Sequence, residues 1–574
     1  MAPATVPTCW GCNVDLVEQR RLDDALVARL AAERTTWDEH WKDLCEHFLP
    51  RSSRFSTNDK NRGSKKNSKL LNGTPARAAR TLAAGLFSQI TSPARPWFNF
   101  GIEDRDLAKF QPVKEWLDDS TRIVRDILAG SNYYKCSAVM FRDLGVIGTH
   151  AQLIDEDADD VVRCYPFPIG SYYITNNHRL AVDLCVRRFS MTARQLVERF
   201  GKENVDHEVR DAYKNRPEQW FDDIVHICGP NAEYDPDKLE SRFKRYSSRY
   251  YRASSSAGTY LSIKGYDEFP IIAPRWSTTG EDVYGESPAM LALPDARSLM
   301  VYEKRIAQAI EKKVNPPLRA PLELEARGID PQPGKTIFAA GADKIGSLYD
   351  LHAFQIDHAD AKAMRLEQAI SSTLYVDLFL MLMSSDRRQI TAEEIRARQE
   401  EKILALGEPL ERLNDEALGP GLERVFSVAA RQGRIPPPPQ ELMEYQRRLG
   451  SAKAIKVEYV SALHQVQRMV KIGQIDRAVQ YLNTVAGAFP DVLDNFDADE
   501  SFQEVGEALG LPPRVIRSKD QRTKIRQERA AAQAKQAQMQ QAAAEVQGAH
   551  ALSQIDTSSQ NGLTDLMRSI SGVA

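Results

Sequence analysis

The sequence predicts an α+β protein that is mostly helical, and three observations carry that prediction. Apolar residues recur at three- and four-residue spacing over long stretches, the mark of amphipathic helices. Between about residues 148 and 276 the pattern shifts to short runs with a period of two, the mark of strands. Toward the C-terminus, residues 519–546 turn Ala/Gln/Arg/Lys-rich, which favours helix but supplies almost no core.

Residues 21–48 read as a helix, with Trp37, Trp41, Leu44 and Phe48 on one stripe and Pro50 ending it. A basic loop follows, then an Ala-rich helix over 74–90 that ends in Thr91-Ser92-Pro93-Ala94-Arg95-Pro96-Trp97-Phe98. Further helices are expected at 112–128 and 133–144. Strands are expected at 151–154, 161–165, 171–174, 181–190, 224–228, 260–263 and 271–276, with a helix at 192–200 among them.

Two long helices organise the rest. From 295 to 314, Leu299, Tyr302, Ile306 and Ile310 form a stripe that Asn315-Pro316-Pro317 stops. From 359 to 383, Met364, Leu366, Ile370, Leu374 and Leu378 form another, and the polar, basic Ser384-Ser385-Asp386-Arg387-Arg388-Gln389 comes directly after it. Thr391, with Glu393 and Glu394 behind it, caps a further helix that runs past Pro409 to Arg431, where Gly433 and Pro436-Pro437-Pro438-Pro439 end it. A helical region is expected from 441 to about 489, and a long helix from 519 to 546.

Composition bounds the chemistry. With 574 residues and a formal net charge of -3, the chain is neither a polycation nor an acidic disordered protein. Basic residues concentrate locally, nine against one acid over 51–80 and eight against two over 514–535. Seven cysteines outline no disulfide framework, and Cys9 and Cys12 form a lone CxxC. Residues 1–13 lack the pattern of an export signal, and the longest apolar run, 378–383, is far short of the ~20 residues that cross a bilayer. The expectation is a soluble protein made in the cytoplasm, with no membrane contact.

Enzyme motifs fail. Gly334-Lys335-Thr336 imitates the end of a phosphate-binding loop, but Ile329 stands where its first glycine belongs, and Pro331 and Pro333 remove amide donors. Asp155, Glu156, Asp157, Asp159 and Asp160 crowd one short stretch, which reads as a solvated turn; a metal-dependent nuclease is the competing reading. We expect no catalytic residues, no metal and no cofactor.

The order of segments resembles the head-to-tail connector, or portal, proteins of short-tailed double-stranded DNA phages. The residues that carry the resemblance are 37–50; Leu82-Ala83-Ala84-Gly85-Leu86 with Thr91-Ser92-Pro93 and Pro96-Trp97-Phe98; and Arg275-Trp276 with Tyr284-Gly285-Glu286-Ser287-Pro288. Leu293-Pro294-Asp295, Ile390-Thr391-Ala392-Glu393-Glu394-Ile395, and Phe489-Pro490-Asp491 leading into 514–529 complete it, so that it covers roughly residues 20 to 530.

The resemblance implies a portal-type fold and a ring, a dodecamer, at one capsid vertex of the virion. After a flexible start (1–20), it implies an α+β wing (21–294), two stem helices (295–314 and 359–383), and a small α/β clip (315–358). A tunnel loop (384–390), a wing-spanning helix (391–438), a helical crown (439–512) and a C-terminal barrel helix with its tail (513–574) follow. It also implies double-stranded DNA passing without sequence readout, a terminase motor and then a tail adaptor docking on the ring, and contacts to capsid and scaffolding proteins.

The expected channel residues are Ser384, Ser385, Asp386, Arg387, Arg388 and Gln389 on the tunnel loop. Lys304, Arg305, Lys312 and Lys313 on the stem come next, and Arg522, Arg526 and Arg529 form a basic face on the barrel helix. Leu322, Leu324, Ile337 and Phe338 are the expected partner surface of the clip. A scaffold or tail structural protein without a channel is the alternative.

Overall fold

The computed structural model describes residues 16–52, 70–108, 110–256, 258–314, 318–319, 346–347, 353–384, 407–449, 455–459, 478–482, 484, 496–499, 501–502, 505 and 519–553. In chain order the elements are helices α1 (Leu16–Glu33), α2 (Thr35–Phe48) and α3 (Thr74–Ile90), strand β1 (Phe98–Ile102), and helices α4 (Arg105–Ala108), α5 (Gln111–Gly130) and α6 (Tyr133–Ile147). Strands β2 (Gln152–Asp157), β3 (Val161–Pro166), β4 (Tyr172–Asn176) and β5 (Val182–Thr192) follow, then α7 (Ala193–Phe200), α8 (His207–Asn215), β6 (Trp220–Pro230), β7 (Tyr246–Arg252), β8 (Ser262–Tyr266) and β9 (Ile271–Ile272). The long helix α9 (Pro288–Val314), strands β10 (Leu318–Arg319) and β11 (Gly346–Ser347), and helices α10 (Ala353–Thr373) and α11 (Val376–Ser384) come next. The chain continues through α12 (Gly407–Leu413), a π-helical turn (Asn414–Leu418), α13 (Gly419–Arg431), α14 (Gln440–Leu449), β12 (Ile455–Tyr459) and α15 (Lys519–Ser553). The mixed, mainly helical architecture is the expected class.

Two units divide the chain. The larger comprises Met1–Gly101, Leu117–Pro437 and Ile455–Gln474. Its centre is an antiparallel meander of five strands in the order β4-β5-β6-β7-β8. Alternation along the strands sends Val186, Val225 and Tyr251 to one face, where Val27 and Leu30 of α1 cover them. Ile224 and Tyr250 point the other way, into a core with Leu196, Val197 and Phe200 of α7 and Val209 of α8.

Polar anchors fix α1 on its face. The Arg249 guanidinium donates to both Asp23 oxygens (2.9 and 2.8 Å), and Tyr251 and Tyr260 hydroxyls donate to Asp24 and Asp23. A three-stranded sheet, β3-β2-β9, and the pair β1-β12 complete the β structure of this unit apart from the short β10-β11 pair.

The expected helix 21–48 is two helices that meet at Arg34. This buried side chain donates to the carbonyls of Tyr172 and Gly170 and pairs with Asp38, so tertiary hydrogen bonds hold the boundary, with no proline or glycine to announce it. The helix expected from residue 295 begins at Pro288 and keeps Pro294 inside its second turn.

The second long helix is likewise divided, because Tyr375 adopts φ +55°. That left-handed turn, costly for a residue with a Cβ, packs the Tyr375 ring on Trp276 and brings the buried Phe379 against Gly85, where any Cβ would strike its ring. Met364, expected on the buried stripe, is 56% exposed, because Ala363 together with Leu366, Ile370 and Leu374 forms the buried line.

Strand β12 interrupts the expected helical region 441–489. Ile455-Lys456-Val457-Glu458-Tyr459 alternates apolar and polar residues, and pairing with β1 favours the extended form over local helix propensity. Strand β7 and helix α8 lie where no element was assigned; β7 hides in a Tyr/Arg/Ser run whose polar residues are spent on ion pairs.

The second unit comprises Ile102–Trp116, Pro438–Ala454 and Ile475–Ala574. Its main described elements are α14 and the 35-residue α15, whose side chains from Arg526 to Gln541 are all exposed.

Candidate nucleic-acid interface

Helix α9 spans about 40 Å at 1.5 Å per residue. Its first half is buried through Leu293, Ala296 and Leu299, and the Arg297 guanidinium pairs with Asp43 of α2. From Val301 onward the apolar stripe emerges, with Tyr302 and Ile306 partly covered and Ile310 47% exposed.

Lys304, Arg305, Lys312 and Lys313 are all exposed. At 100° per residue, Arg305 and Lys312 fall on one line about 10.5 Å apart, whereas Lys304 lies to one side near Glu311 and Lys313 falls beside the apolar stripe. One pair of the four therefore forms a coherent basic line.

Glu303, next to Lys304, is engaged within the chain. The Asn72 side-chain amide donates to Glu303 of α9 (2.7 Å) and to Glu367 of α10 (2.6 Å), and the Thr74 hydroxyl donates to Glu367 as well (3.0 Å). The start of α3 thus clamps the two long helices together at mid-length.

Ser384 closes α11, and Ser385, Asp386, Arg387, Arg388 and Gln389 lie outside the described residues, as do Leu322, Leu324, Ile337 and Phe338. On α15, Arg526 and Arg522 share Asp499 at 2.8 and 3.5 Å, and the hydrogen bond from Arg526 holds that carboxyl below its ordinary range. Arg529 is exposed.

The acidic stretch at 155–160 is the end of the β2-β3 hairpin, and four of its five carboxylates go to separate partners. Asp155 accepts from the Tyr266 hydroxyl (3.1 Å), Glu156 pairs with Arg431 (2.6 Å), Asp160 pairs with Arg163 (3.2 Å), and Asp157 accepts the amides of Asp159 and Asp160. Those two amides are the main reason the Asp157 carboxyl stays below its usual range. Among the described residues no group of acids, histidines and cysteines is placed to hold a metal, and no helix is long and apolar enough to cross a membrane.

A node that sequence reading noticed only as a motif is Arg275. It is buried, donates to Glu416 through Nη2 (2.7 Å), Nε (3.1 Å) and its own amide (2.9 Å), and also reaches the Leu180 carbonyl (2.9 Å). Glu416 sits on the π-helical turn, which makes room for that fork. Beside it Gly148, at φ +82°, touches the backbone of Gly285, and Tyr284 meets Trp41 edge-on at 5.1 Å. The scattered motifs around residues 41, 275 and 285 thus form one junction.

The model of the family described as bacteriophage head to tail connecting protein matches residues 21–516. The chain belongs to that family. Among its relatives, the portal protein of Salmonella phage epsilon15 is 40% identical over 545 residues, 94% of this chain and 96% of the relative. The probable portal protein of Bordetella phage BPP-1 is 37% identical over 560 residues, 96% and 99% of the two chains. The family's place between head and tail is a structural one.

Proposed function

We propose that this head-to-tail connecting protein is the subunit of a dodecameric portal ring at one capsid vertex, through which double-stranded DNA enters and leaves the head. The observation that carries the reading is similarity along nearly the whole chain to two phage portal proteins. In this reading the α+β body is the wing, α9 with α10 and α11 the stem, residues 315–358 the clip, residues 439–512 the crown, and α15 the barrel helix. Twelve copies account for two otherwise costly features: an apolar stripe that surfaces along the second half of α9, and a 35-residue helix with no core of its own.

DNA must slide, so the bore offers phosphate contacts without base readout. Arg387 and Arg388 serve on the tunnel loop, with Arg305 and Lys312 along the stem. The ring passes DNA and cleaves none; the motor docks on it during packaging and a tail adaptor afterwards, with capsid and scaffolding proteins around the wing. The test is negative-stain imaging with solution mass: rings with an axial hole and a mass near twelve copies are expected, and a closed oligomer without a bore overturns the reading. Arg387→Ala with Arg388→Ala should leave rings intact and impair genome packaging or retention.

A further inference from the structure

On the face of the five-stranded sheet that carries α7, the lining of an open depression of about 600 Å³ includes the apolar Phe189 and Met191, the cations Arg187 and Arg199, and the acids Asp155 and Glu198. Arg199 is satisfied there, 3.6 Å from Asp155 and donating to the Tyr250 hydroxyl at 3.1 Å. Arg187 is not. Its guanidinium lies between the rings of Phe167 (4.3 Å) and Phe189 (4.2 Å), its Nε is enclosed without a hydrogen-bond partner, and no carboxylate among the described residues pairs with it. Burial above all pushes its pKa down to about 10. A half-buried guanidinium held between ring faces with no paired carboxylate is a cation open to an incoming anion, because ring faces offset only part of the hydration it has lost.

The same chain carries the complement. Residues 231–245 join β6 to β7 as a braced finger: the Asn231 amide donates to the carbonyls of Arg242 and Lys244 (2.8 Å each), Arg242 pairs with Glu233 (2.9 Å), and Ser241 bonds Gly265. Its tip presents Leu239, 94% exposed, between the exposed Asp237 and Glu240, neither of which meets a cation among the described residues. The finger leaves the Pro230 end of β6, whereas Phe189 of the depression pairs with Ile224, six residues earlier and about 20 Å away along the strand. A finger fixed at one end of the sheet does not fill a depression toward the other end of the same sheet.

We infer that the finger of one subunit docks in the Arg187 depression of the next, a carboxylate of Asp237 or Glu240 meeting the guanidinium and Leu239 covering the Phe189–Met191 floor. Donor and acceptor surfaces at opposite ends of one sheet make a head-to-tail contact, the kind that closes into rings. The inference rests on the ring proposed above.

The test uses the full chain with Glu198→Cys and Leu239→Cys together, both at exposed positions, treated with a short bis-maleimide. Imaged rings should yield a ladder of linked subunits on a denaturing gel, absent from either single variant. Rings without that ladder overturn the docking while leaving the portal reading intact; absence of rings removes both. Independently, Arg187→Gln should leave the melting temperature of the isolated subunit unlowered but raise the concentration needed for assembly roughly tenfold. Asp237→Asn with Leu239→Ser and Glu240→Gln should do the same, and combining the two sets should add little. Additive shifts, or a subunit weakened by Arg187→Gln, overturn the docking.

Discussion

The five-stranded sheet and the paired helices α9 and α10 solve the same problem, holding long elements in place, in opposite ways. Most of the sheet is finished within one chain: α1 covers one face, α7 and α8 pack on part of the other, and buried cations such as Arg252, which pairs with Asp206 and Asp223, are matched locally, with Arg187 the exception. The helices are clamped at mid-length by Asn72 and then run outward with Ile310, Val314 and Met364 exposed. A region that completes its own burial is a scaffold; one that leaves apolar surface along a helix is built to meet other copies.

The largest effect should come from breaking the junction that supports both regions. Arg275→Ala leaves Glu416 without its fork and should cost about 3–5 kcal/mol in urea unfolding of the subunit. If the loss is under about 1 kcal/mol, the two regions are less interdependent than the geometry indicates.

Gly85→Val drives a side chain into Phe379 and should cost about 1–3 kcal/mol. Hydrogen exchange should rise in α11 and stay unchanged in the five-stranded sheet; a rise in both would erase the contrast.

Acid sharpens it from the other side. His226, stacked on Tyr250 and bonded to Ser248, is held neutral by burial first and by Arg199, Arg187 and Arg249 next, so its folded pKa lies well below 6.5. The unfolded chain takes the proton first. Its contribution is therefore fully present above about pH 6.5 and declines as pH falls below that value. Equilibrium unfolding against pH should show this decline, and His226→Phe should flatten it.

The smallest stability effect belongs to the basic line on α9. Arg305→Ala with Lys312→Ala should stay within about 0.5 kcal/mol of the parent, yet reduce the slope of DNA affinity against salt by about 0.9 for each phosphate no longer neutralised. A measurable drop in stability would assign the pair to the fold rather than to DNA.

Local pattern by itself determined the mixed, helix-rich class, the two long helical stretches, the short helix at 192–200 and the helical C-terminus, because periodicity acts within a few residues. The family was legible too, in short motifs spread over five hundred positions. Only the tertiary structure decided that the first expected helix divides at Arg34, that Tyr375 divides the second long one, that Met364 faces out and that 455–459 is a strand, since each is imposed by partners distant in sequence. It also decided which charges are available: Glu303 is taken by Asn72, Arg522 and Arg526 by Asp499, and four of the five acids at 155–160 by separate partners. Charge is read from sequence, but its availability depends on which opposite charge the fold brings within about 4 Å.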